Sequence, residues 1–506
     1  MLLKKERKMQ SDHSSVTNVS VTEKSSHQGP RPWLRRLGIF GMDQLQAPLL
    51  AALATELPLL LIGPHGTAKS LLLTRMAQAL QLRFRHYNAS LIHFDDLIGF
   101  PMPASDGGLQ YLQTPATIWD AQAVFLDEIS RCRPEMQNKL FPIIHERKVQ
   151  GIDLKDLQFR WAAMNPPQTE DEALGYRGSE VLDRALADRF AFILAMPAWE
   201  QFSREDRLAV IQSGAAGNLS ASANRSDASV ISCDWLKSLI GQTRDAIEVL
   251  RVDQSEKWAS YIETLTALLA NAKIALSPRR AAMLYEAVIA VLAASVATDA
   301  AMNAGDAAWL ALRSCLPQHA EGVLVPEVKL LAAHREAMRS IKLGPHDPLR
   351  AIVSAGTPLK RLRLAVSAAG QLPKAEFSRV IADALAQMKP GEHEAAVVYL
   401  FESGAVGRLH AAVATQAGDL YQELASAQPF SITIHASSGR YAAWGRVKDL
   451  LARLDPEKPQ SHLQANAMAS LFKRKQLASI ADADAAFAAY AAADGLLRTL
   501  SWTLQH

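Results

Sequence analysis

The sequence predicts an α/β core built on a parallel sheet, followed by two largely helical regions. Short apolar runs alternate with helical stretches from residue 58 to about residue 197, as in parallel sheets covered on both faces. Beyond them, leucine, valine and isoleucine recur at helical spacing towards the end of the chain. The length of 506 residues agrees with about three domains.

The boundaries follow changes in composition. Five strands are expected in the core, at residues 58–63, 84–89, 123–128, 159–164 and 191–196. The predicted segments are, in order, a disordered arm over 1–32, the α/β core over 33–198, a helical lid over 199–320 and a mostly helical accessory domain of unknown role over 325–506. A loop is expected at 213–229, and one strand, FSITIH, at 430–435 in the accessory domain.

Two further features are expected inside the core. An amphipathic helix is predicted from about Asp43 to Leu53, ahead of the first strand. Between the second and third strands lies GFPMPASDGGLQYLQTPATIWD, whose proline and glycine content predicts a loop or a small hairpin insertion.

Bulk composition narrows the class of protein. Hydrophobic residues make up 49% of the chain and charged residues 21%, which is typical of globular proteins with sizeable cores. A net charge of +3 argues against a dedicated nucleic-acid binder, which usually carries a strong basic excess. Three widely separated cysteines predict neither a disulfide framework nor a cysteine metal site. Since no secretory signal or bilayer-length apolar run is found, we expect a cytoplasmic protein without membrane insertion.

A candidate phosphate loop, GPHGTAKS, follows the first strand and precedes a helical pattern. It matches G-x-x-x-x-G-K-[ST] except at Ala68, where glycine is usual and which fits if it has helical dihedrals. Backbone N–H groups and a helix N-terminus would attract phosphates there, with Lys69 reaching the β- and γ-phosphates and Ser70 holding Mg²⁺. The alternative is a glycine-rich turn that binds nothing. The candidate nucleotide-binding residues are Gly63, Pro64, His65, Gly66, Thr67, Ala68, Lys69 and Ser70.

Polar residues end two later strands. Asp127 and Glu128 close AVFLDE, where Asp127 would hold Mg²⁺ and Glu128 would polarise the water that attacks the γ-phosphate. This acidic pair favours ATP hydrolysis over simple nucleotide binding. Asn165 ends FRWAAMN before two prolines, where it would orient the water or contact the γ-phosphate; a turn-forming asparagine is an equal alternative.

Two pairs of arginines complete the candidate site. Arg184 and Arg189, in LDRALADRF, stand where an arginine finger would reach into a neighbouring subunit. In LSPRRAAML, Ser277 is the predicted N-cap of a helix that carries Arg279 and Arg280 in its first turn, from which a cation can reach phosphates. Ordinary surface arginines are the alternative in both places.

The order of these motifs resembles the AAA+ ATPases, and within them the MoxR family, which includes RavA-like proteins. GPHGTAKS is similar to that family's GPPGTAKS/T, and FLDEISRCRPEMQNKLFPIIHERKVQG to its FLDEINRAPP…LLEAMEERQV block. The resemblance covers about residues 35–290 and leaves 325–506 unmatched.

The resemblance implies specific roles. It makes Lys69 and Ser70 the Walker A pair and Asp127 and Glu128 the Walker B pair. Asn165 becomes sensor one, Arg279 sensor two, and Arg189 rather than Arg184 the arginine finger. The same likeness places Gly41 near the adenine. Its further implications are ATP and Mg²⁺ as ligands, a hexameric ring, and a partner with a von Willebrand A domain.

Two functions follow as hypotheses. The first is a chaperone-like ATPase that remodels or activates a protein complex whose identity the sequence does not give. The alternative is a nucleic-acid-dependent ring motor of the helicase-related group, using basic patches such as PLKRLRL (358–364) and LFKRKQL (471–477). Because such patches are more often solvated helix faces, we favour the first.

Overall fold

The computed structural model describes residues 32–103, 109–167, 181–220, 234–300, 302–344, 347–426 and 438–499. The predicted arm, apart from residue 32, and the predicted strand at 430–435 lie outside these residues.

The predicted α/β core is confirmed. Nine strands lie in the described part of the chain: β1 Leu59–Ile62, β2 Phe84–Asn88, β3 Phe100–Pro103, β4 Leu109–Leu112, β5 Ala123–Asp127, β6 Lys148–Val149, β7 Ile152–Asp153, β8 Phe159–Met164 and β9 Phe192–Ala195. Five of them form one sheet in the order β2-β5-β8-β1-β9, and every pairing in it is parallel. Strands β3 and β4 form an antiparallel hairpin within the predicted insertion.

Apolar side chains cover both faces of this sheet because successive residues of a strand point to opposite sides. In β1, Leu59 and Leu61 join a core shared with the helices that follow the sheet, whereas Leu60 and Ile62 join a second core on the other face. All four side chains are buried. The sheet is therefore packed on both faces, and this packing fixes the positions of its strand ends.

The described residues of the predicted core and lid contain ten α-helices: α1 Trp33–Arg36, α2 Gln46–Thr55, α3 Lys69–Ala79, α4 Phe94–Ile98, α5 Pro134–Glu146, α6 Arg184–Ala187, α7 Arg204–Ser220, α8 Asp234–Asn271, α9 Pro278–Ala297 and α10 Ala304–Arg313. The prediction of an amphipathic helix at α2 is wrong in character. Every residue from Ala47 to Ala54 is buried, because α2 lies between the sheet side of the core and helices α8 and α9. The loop predicted from residue 213 is also wrong at its start, since α7 continues to Ser220; alanine in that stretch favours helix.

Helix α9 is the central helix of the region predicted to be a lid. Among the described residues, α9 is the one helix whose length and apolar composition would by themselves allow it to cross a membrane. Of its most apolar window, 67% is buried inside the protein, against α2, α8 and α10. This burial explains the apolar composition, as expected of a core helix.

The rest of the described chain is helical: α11 Glu327–Ser340, α12 Pro348–Ser354, α13 Pro358–Ser367, α14 Lys374–Ala386, α15 Glu392–Glu402, α16 Ala411–Ala425, α17 Gly439–Leu451, α18 Pro459–Lys473 and α19 Ile480–Arg498. Helix α11 packs along α8, and α12 contacts both of them. Helix α19 packs back against α15 and α17. The helical region after the sheet that the sequence predicted is thus confirmed.

Candidate nucleotide-binding site

Three strand ends meet at one edge of the sheet. Strands β5, β8 and β1 are consecutive neighbours, and all three run in the same direction. Their carboxyl ends therefore bring Asp127, Asn165 and the loop that begins at Gly63 side by side. Ligands of open α/β sheets bind at this edge.

The loop between β1 and α3 has a compact backbone that restricts side chains. A Cβ added at Gly63 would lie 2.6 Å from the Met196 Cβ, so only glycine fits there. Gly66 has a φ of +77° and supplies the bend that the sequence predicted. Ala68 does not meet the condition of ordinary helical dihedrals, because its φ is +59° and its ψ +25°, in the left-handed region that favours glycine.

The ammonium group of Lys69 lies inside the loop. Its Nζ donates to the Gly63 carbonyl at 2.6 Å, to the Pro64 carbonyl at 2.9 Å and to the Asn165 Oδ1 at 3.3 Å. Burial lowers the pKa of Lys69, while the nearby Asp127 and Glu128 carboxylates act in the opposite direction. A cation held by neutral carbonyls is available to an anion that enters the loop.

Ser70 and Asp127, which the sequence places 57 positions apart, are in direct contact. The Ser70 Oγ donates to the Asp127 Oδ2 at 2.8 Å. The same carboxylate lies 3.4 Å from the His86 Nε2, and its Oδ1 accepts the Glu128 backbone N–H at 3.0 Å. Burial alone would raise the pKa of Asp127, but these hydrogen bonds outweigh it and lower the pKa, so the group stays ionised.

Glu128 and Asn165 line the same cavity as this contact. Glu128 has a left-handed backbone, with a φ of +53°, and its carboxylate is 3.7 Å from the Arg131 guanidinium. Asn165 is 5% exposed, and its Nδ2 lies 3.3 Å from the His65 Nε2. The amide is thereby fixed between His65 and Lys69 at the mouth of the loop.

Two adjoining cavities open at the loop. The polar one measures about 250 Å³, and its lining includes Lys69, Ser70, Asp127, Glu128 and Asn165. The second measures about 140 Å³ and is mostly apolar. It shares Gly66, Thr67, Ala68 and Leu71 with the first and is otherwise lined by Gly38, Ile39, Phe40, Met42, Pro197, Trp199, Phe202, Val210 and Ser213. A charged cavity beside an apolar one is the arrangement that phosphates joined to a planar base require.

Gly41, which is predicted to lie near the adenine, packs against the Phe202 ring, and that ring lines the apolar cavity. A Cβ added at Gly41 would lie 2.3 Å from the Phe202 ring, so the turn of IFGMDQ packs directly on that ring. Sequence reasoning missed Trp199 and Phe202, whose signal was the aromatic pair just after Pro197 at the end of the last strand. It also missed His86, because its contact with Asp127 depends on β2 pairing with β5.

The candidate arginines do not line either cavity of their own chain. The Arg189 Nη1 donates to the Ala185 carbonyl at 2.5 Å, and its guanidinium lies 4.3 Å from the centre of the Phe141 ring. Burial and the neighbouring Arg279 cation lower the pKa of Arg189. Arg184 is mostly exposed, with its Nε 3.9 Å from the Glu321 carboxylate.

Arg279 and Arg280 are neighbours in the chain with different surroundings. The Arg279 Nη1 lies 3.5 Å from the Asp188 Oδ2, beside Arg189 and at the protein surface. Arg280 is fully buried and donates to the carbonyls of Phe190 at 2.6 Å and Ala187 at 3.1 Å. The predicted N-cap is confirmed, since the Ser277 Oγ accepts the Arg280 N–H at 3.0 Å.

The residues at the loop fit ATP and Mg²⁺ by their chemistry. The Ser70 hydroxyl and the ionised Asp127 carboxylate are oxygen donors of the kind that Mg²⁺ prefers, and they already touch one another. Lys69 and the N-terminus of the eleven-residue helix α3 supply positive charge at the same place.

Comparison with known proteins gives a family match and many structural matches. Residues 58–190 match the AAA domain of the dynein-related subfamily. A solved structure of a "putative ATPase" from Cytophaga hutchinsonii aligns with 61% of this chain and 92% of its own, at 21% sequence identity and a TM-score of 0.42. The family match spans the phosphate loop, Asp127, Glu128 and Asn165, which meet at one edge of a five-stranded parallel sheet. Residues 58–190 are therefore an AAA domain, the nucleotide-binding core of AAA+ ATPases.

Proposed function

We propose that this chain hydrolyses ATP with Mg²⁺ and uses the energy to remodel or activate a protein complex. The observation that carries the ATPase part is the contact between Ser70 and Asp127, which joins the phosphate loop to the acidic strand at 2.8 Å. The AAA domain also has polar residues at the ends of β5 and β8, which supports ATP hydrolysis rather than nucleotide binding alone.

The side chains divide the chemistry among themselves. Ser70 and Asp127 would hold Mg²⁺, which would neutralise charge on the phosphates. Lys69 leaves its loop carbonyls to contact the β- and γ-phosphates. Glu128 polarises the attacking water, and Asn165 positions it. Around the base, Trp199 and Phe202 supply the apolar surface.

Arg189 and Arg279 act on a neighbouring subunit in this proposal. Both lie outside the two cavities of their own chain, and they share one patch beside Asp188. A patch with two cations favours contact with an anion that another copy holds. We therefore propose a ring of subunits, hexameric by resemblance to the MoxR family, in which Arg189 completes the site next to it.

The accessory helices are proposed to deliver the motion to a protein, through a partner with a von Willebrand A domain. The two basic patches support this choice over nucleic acid. In PLKRLRL, Arg361 is only 8% exposed. In LFKRKQL, Arg474 donates to the Glu394 carboxylate at 2.8 Å, and that carboxylate is itself 1% exposed. Arg361 therefore faces the protein interior, and Arg474 is engaged by a buried carboxylate of its own chain.

The ATPase proposal is tested by phosphate release from purified protein. Glu128→Gln should slow turnover by about 10²- to 10⁴-fold, because the amide no longer polarises water, while ATP binding is retained. Lys69→Ala should abolish both ATP binding and turnover. Glu135 is an exposed carboxylate on α5, so Glu135→Gln should turn over ATP at the wild-type rate. Wild-type protein without turnover at any protein concentration, with Mg²⁺ present, would refute the proposal.

The protein-remodelling part is tested by capture from native lysate. Tagged Glu128→Gln in ATP and Mg²⁺ should retain a specific protein, and Lys69→Ala should release it. Recovery of nucleic acid that resists moderate salt, without any protein, would instead favour the ring motor.

A further inference from the structure

A cavity of about 610 Å³ lies where the lid meets the accessory helices, apart from the nucleotide site. Its walls come from the end of α8, from α11, and from α12, α13 and α14. Its volume falls within the range of small-molecule sites. None of its lining residues lines either cavity at the phosphate loop.

Arg361 is the polar side chain buried in this wall. It is 8% exposed, and within the described residues no carboxylate lies within ion-pair distance of its guanidinium. Its Nε is buried without a hydrogen-bond partner. In the orientation of the Asn271 side-chain amide that allows both hydrogen bonds, the amide oxygen accepts from the Arg361 Nη2 at 3.1 Å. The amide nitrogen then donates to the Gly356 carbonyl at 2.6 Å. A buried guanidinium held by one neutral amide retains unused donors.

The two carboxylates that line the cavity form their ion pairs with a different cation, Arg379. Arg379 binds the Glu336 carboxylate at 3.2 Å and that of Asp383 at 3.3 Å, so both lining carboxylates are already paired. Lys273 and Lys329 add two exposed cations at the rim. The cavity therefore has an excess of positive charge, and the excess is deepest at Arg361.

Apolar side chains form much of the remaining wall, among them Leu268, Ala333, Ile352 and Val380. An inorganic anion alone would leave this surface in contact with water. A short hydrocarbon body would cover it, which adds binding free energy in proportion to the apolar area removed from water.

We infer that the cavity binds a small organic anion, a carboxylate or phosphate ester with a short apolar body, whose charged group is received by Arg361. Because the walls belong to both the lid and the accessory helices, the bound anion links these two regions. A buried cation without a counter-ion lowers the stability of the protein. Such a cost is expected of a residue that binds a ligand and not of one that serves only the fold.

The test uses the full chain and four probes: hexanoate, hexyl phosphate, inorganic phosphate, and sodium chloride at matched ionic strength. Thermal unfolding is followed as each is added. Hexanoate or hexyl phosphate should raise Tm with saturation, and the more effective of the two identifies the headgroup. The shift should persist with Lys69→Ala, since the phosphate loop does not contribute to it.

Variants separate binding from folding. Arg361→Met should leave Tm of the free protein unchanged or higher and weaken probe binding roughly 10- to 100-fold, through loss of a charge-assisted hydrogen bond. Ala332→Trp, at the exposed mouth, should block binding without removing a charge, and Lys360→Met on the same helix as Arg361 should bind normally. The inference fails if wild-type protein shows no saturable shift, if Arg361→Met shifts equally, if the shift disappears with Lys69→Ala, or if inorganic phosphate matches hexyl phosphate.

Discussion

At the scale of single residues, the phosphate loop contains a strained backbone position. Ala68 adopts left-handed dihedrals immediately before Lys69, in a conformation where Cβ approaches the backbone. The cost is about 1–2 kcal/mol relative to a residue without Cβ. Strain of this kind persists where the surrounding structure fixes a functional loop.

Replacing Ala68 with glycine should therefore stabilise the protein without nucleotide. Relief of strain is offset in part by the greater freedom of glycine in the unfolded chain, which leaves a gain of up to about 1 kcal/mol. Thermal unfolding measures it. The control is Ala77→Gly in the right-handed part of α3, which should destabilise by about 1 kcal/mol. If Ala68→Gly destabilised the protein as much as Ala77→Gly, the backbone at Ala68 would not be strained.

The closeness of Lys69, Ser70 and Asp127 could be predicted from the sequence, because each stands after an apolar strand at a position where phosphate chemistry requires its type. Their roles in binding and catalysis stay predictions. His86 and Phe202 could not be predicted, since strand pairing and lid packing, and not local spacing, bring them to the site.

At the scale of elements, the start of α9 joins the lid to the sheet. The Ser277 Oγ caps the helix and also donates to the Asp188 carboxylate at 3.0 Å, while Arg280 reaches the carbonyls at the end of α6. Arg279, one position earlier, points to the surface patch that holds Arg189. Two adjacent positions in the first turn of α9 thus hold a structural arginine and the arginine that we propose to act on another subunit.

Matched substitutions should separate these two roles. Arg280→Met should reduce the free energy of unfolding by about 2–3 kcal/mol, because buried carbonyls lose hydrogen bonds from a charged donor. Arg279→Met should change it by less than about 0.5 kcal/mol, as at other exposed sites, yet reduce ATP turnover. Urea unfolding and phosphate release together measure both effects. Loss of stability with Arg279→Met, or normal turnover in that variant, would contradict this division.

At the scale of the whole molecule, the sequence predicted the α/β core better than the helical remainder. Alternating strands and helices determine a parallel sheet, so all five predicted strands lie within a residue or two of the observed ones. Helical spacing alone does not determine which helices pack together, so the contacts of α19 with α15 and α17 could not be anticipated. The cavity between lid and accessory helices is a product of that packing.

Mixing two inactive variants shows whether subunits share an ATP site. Lys69→Ala removes the phosphate-loop cation, and Arg189→Ala should slow turnover by about 10³- to 10⁵-fold while ATP still binds. In a mixed ring, the intact loop of one variant meets the intact Arg189 of the other.

Phosphate release from the mixture should therefore exceed that of either variant alone, with an Arg184→Ala chain serving as the active control. If the mixture is as inactive as its components although both assemble together, or if Arg189→Ala alone turns over normally, the shared-site account is wrong.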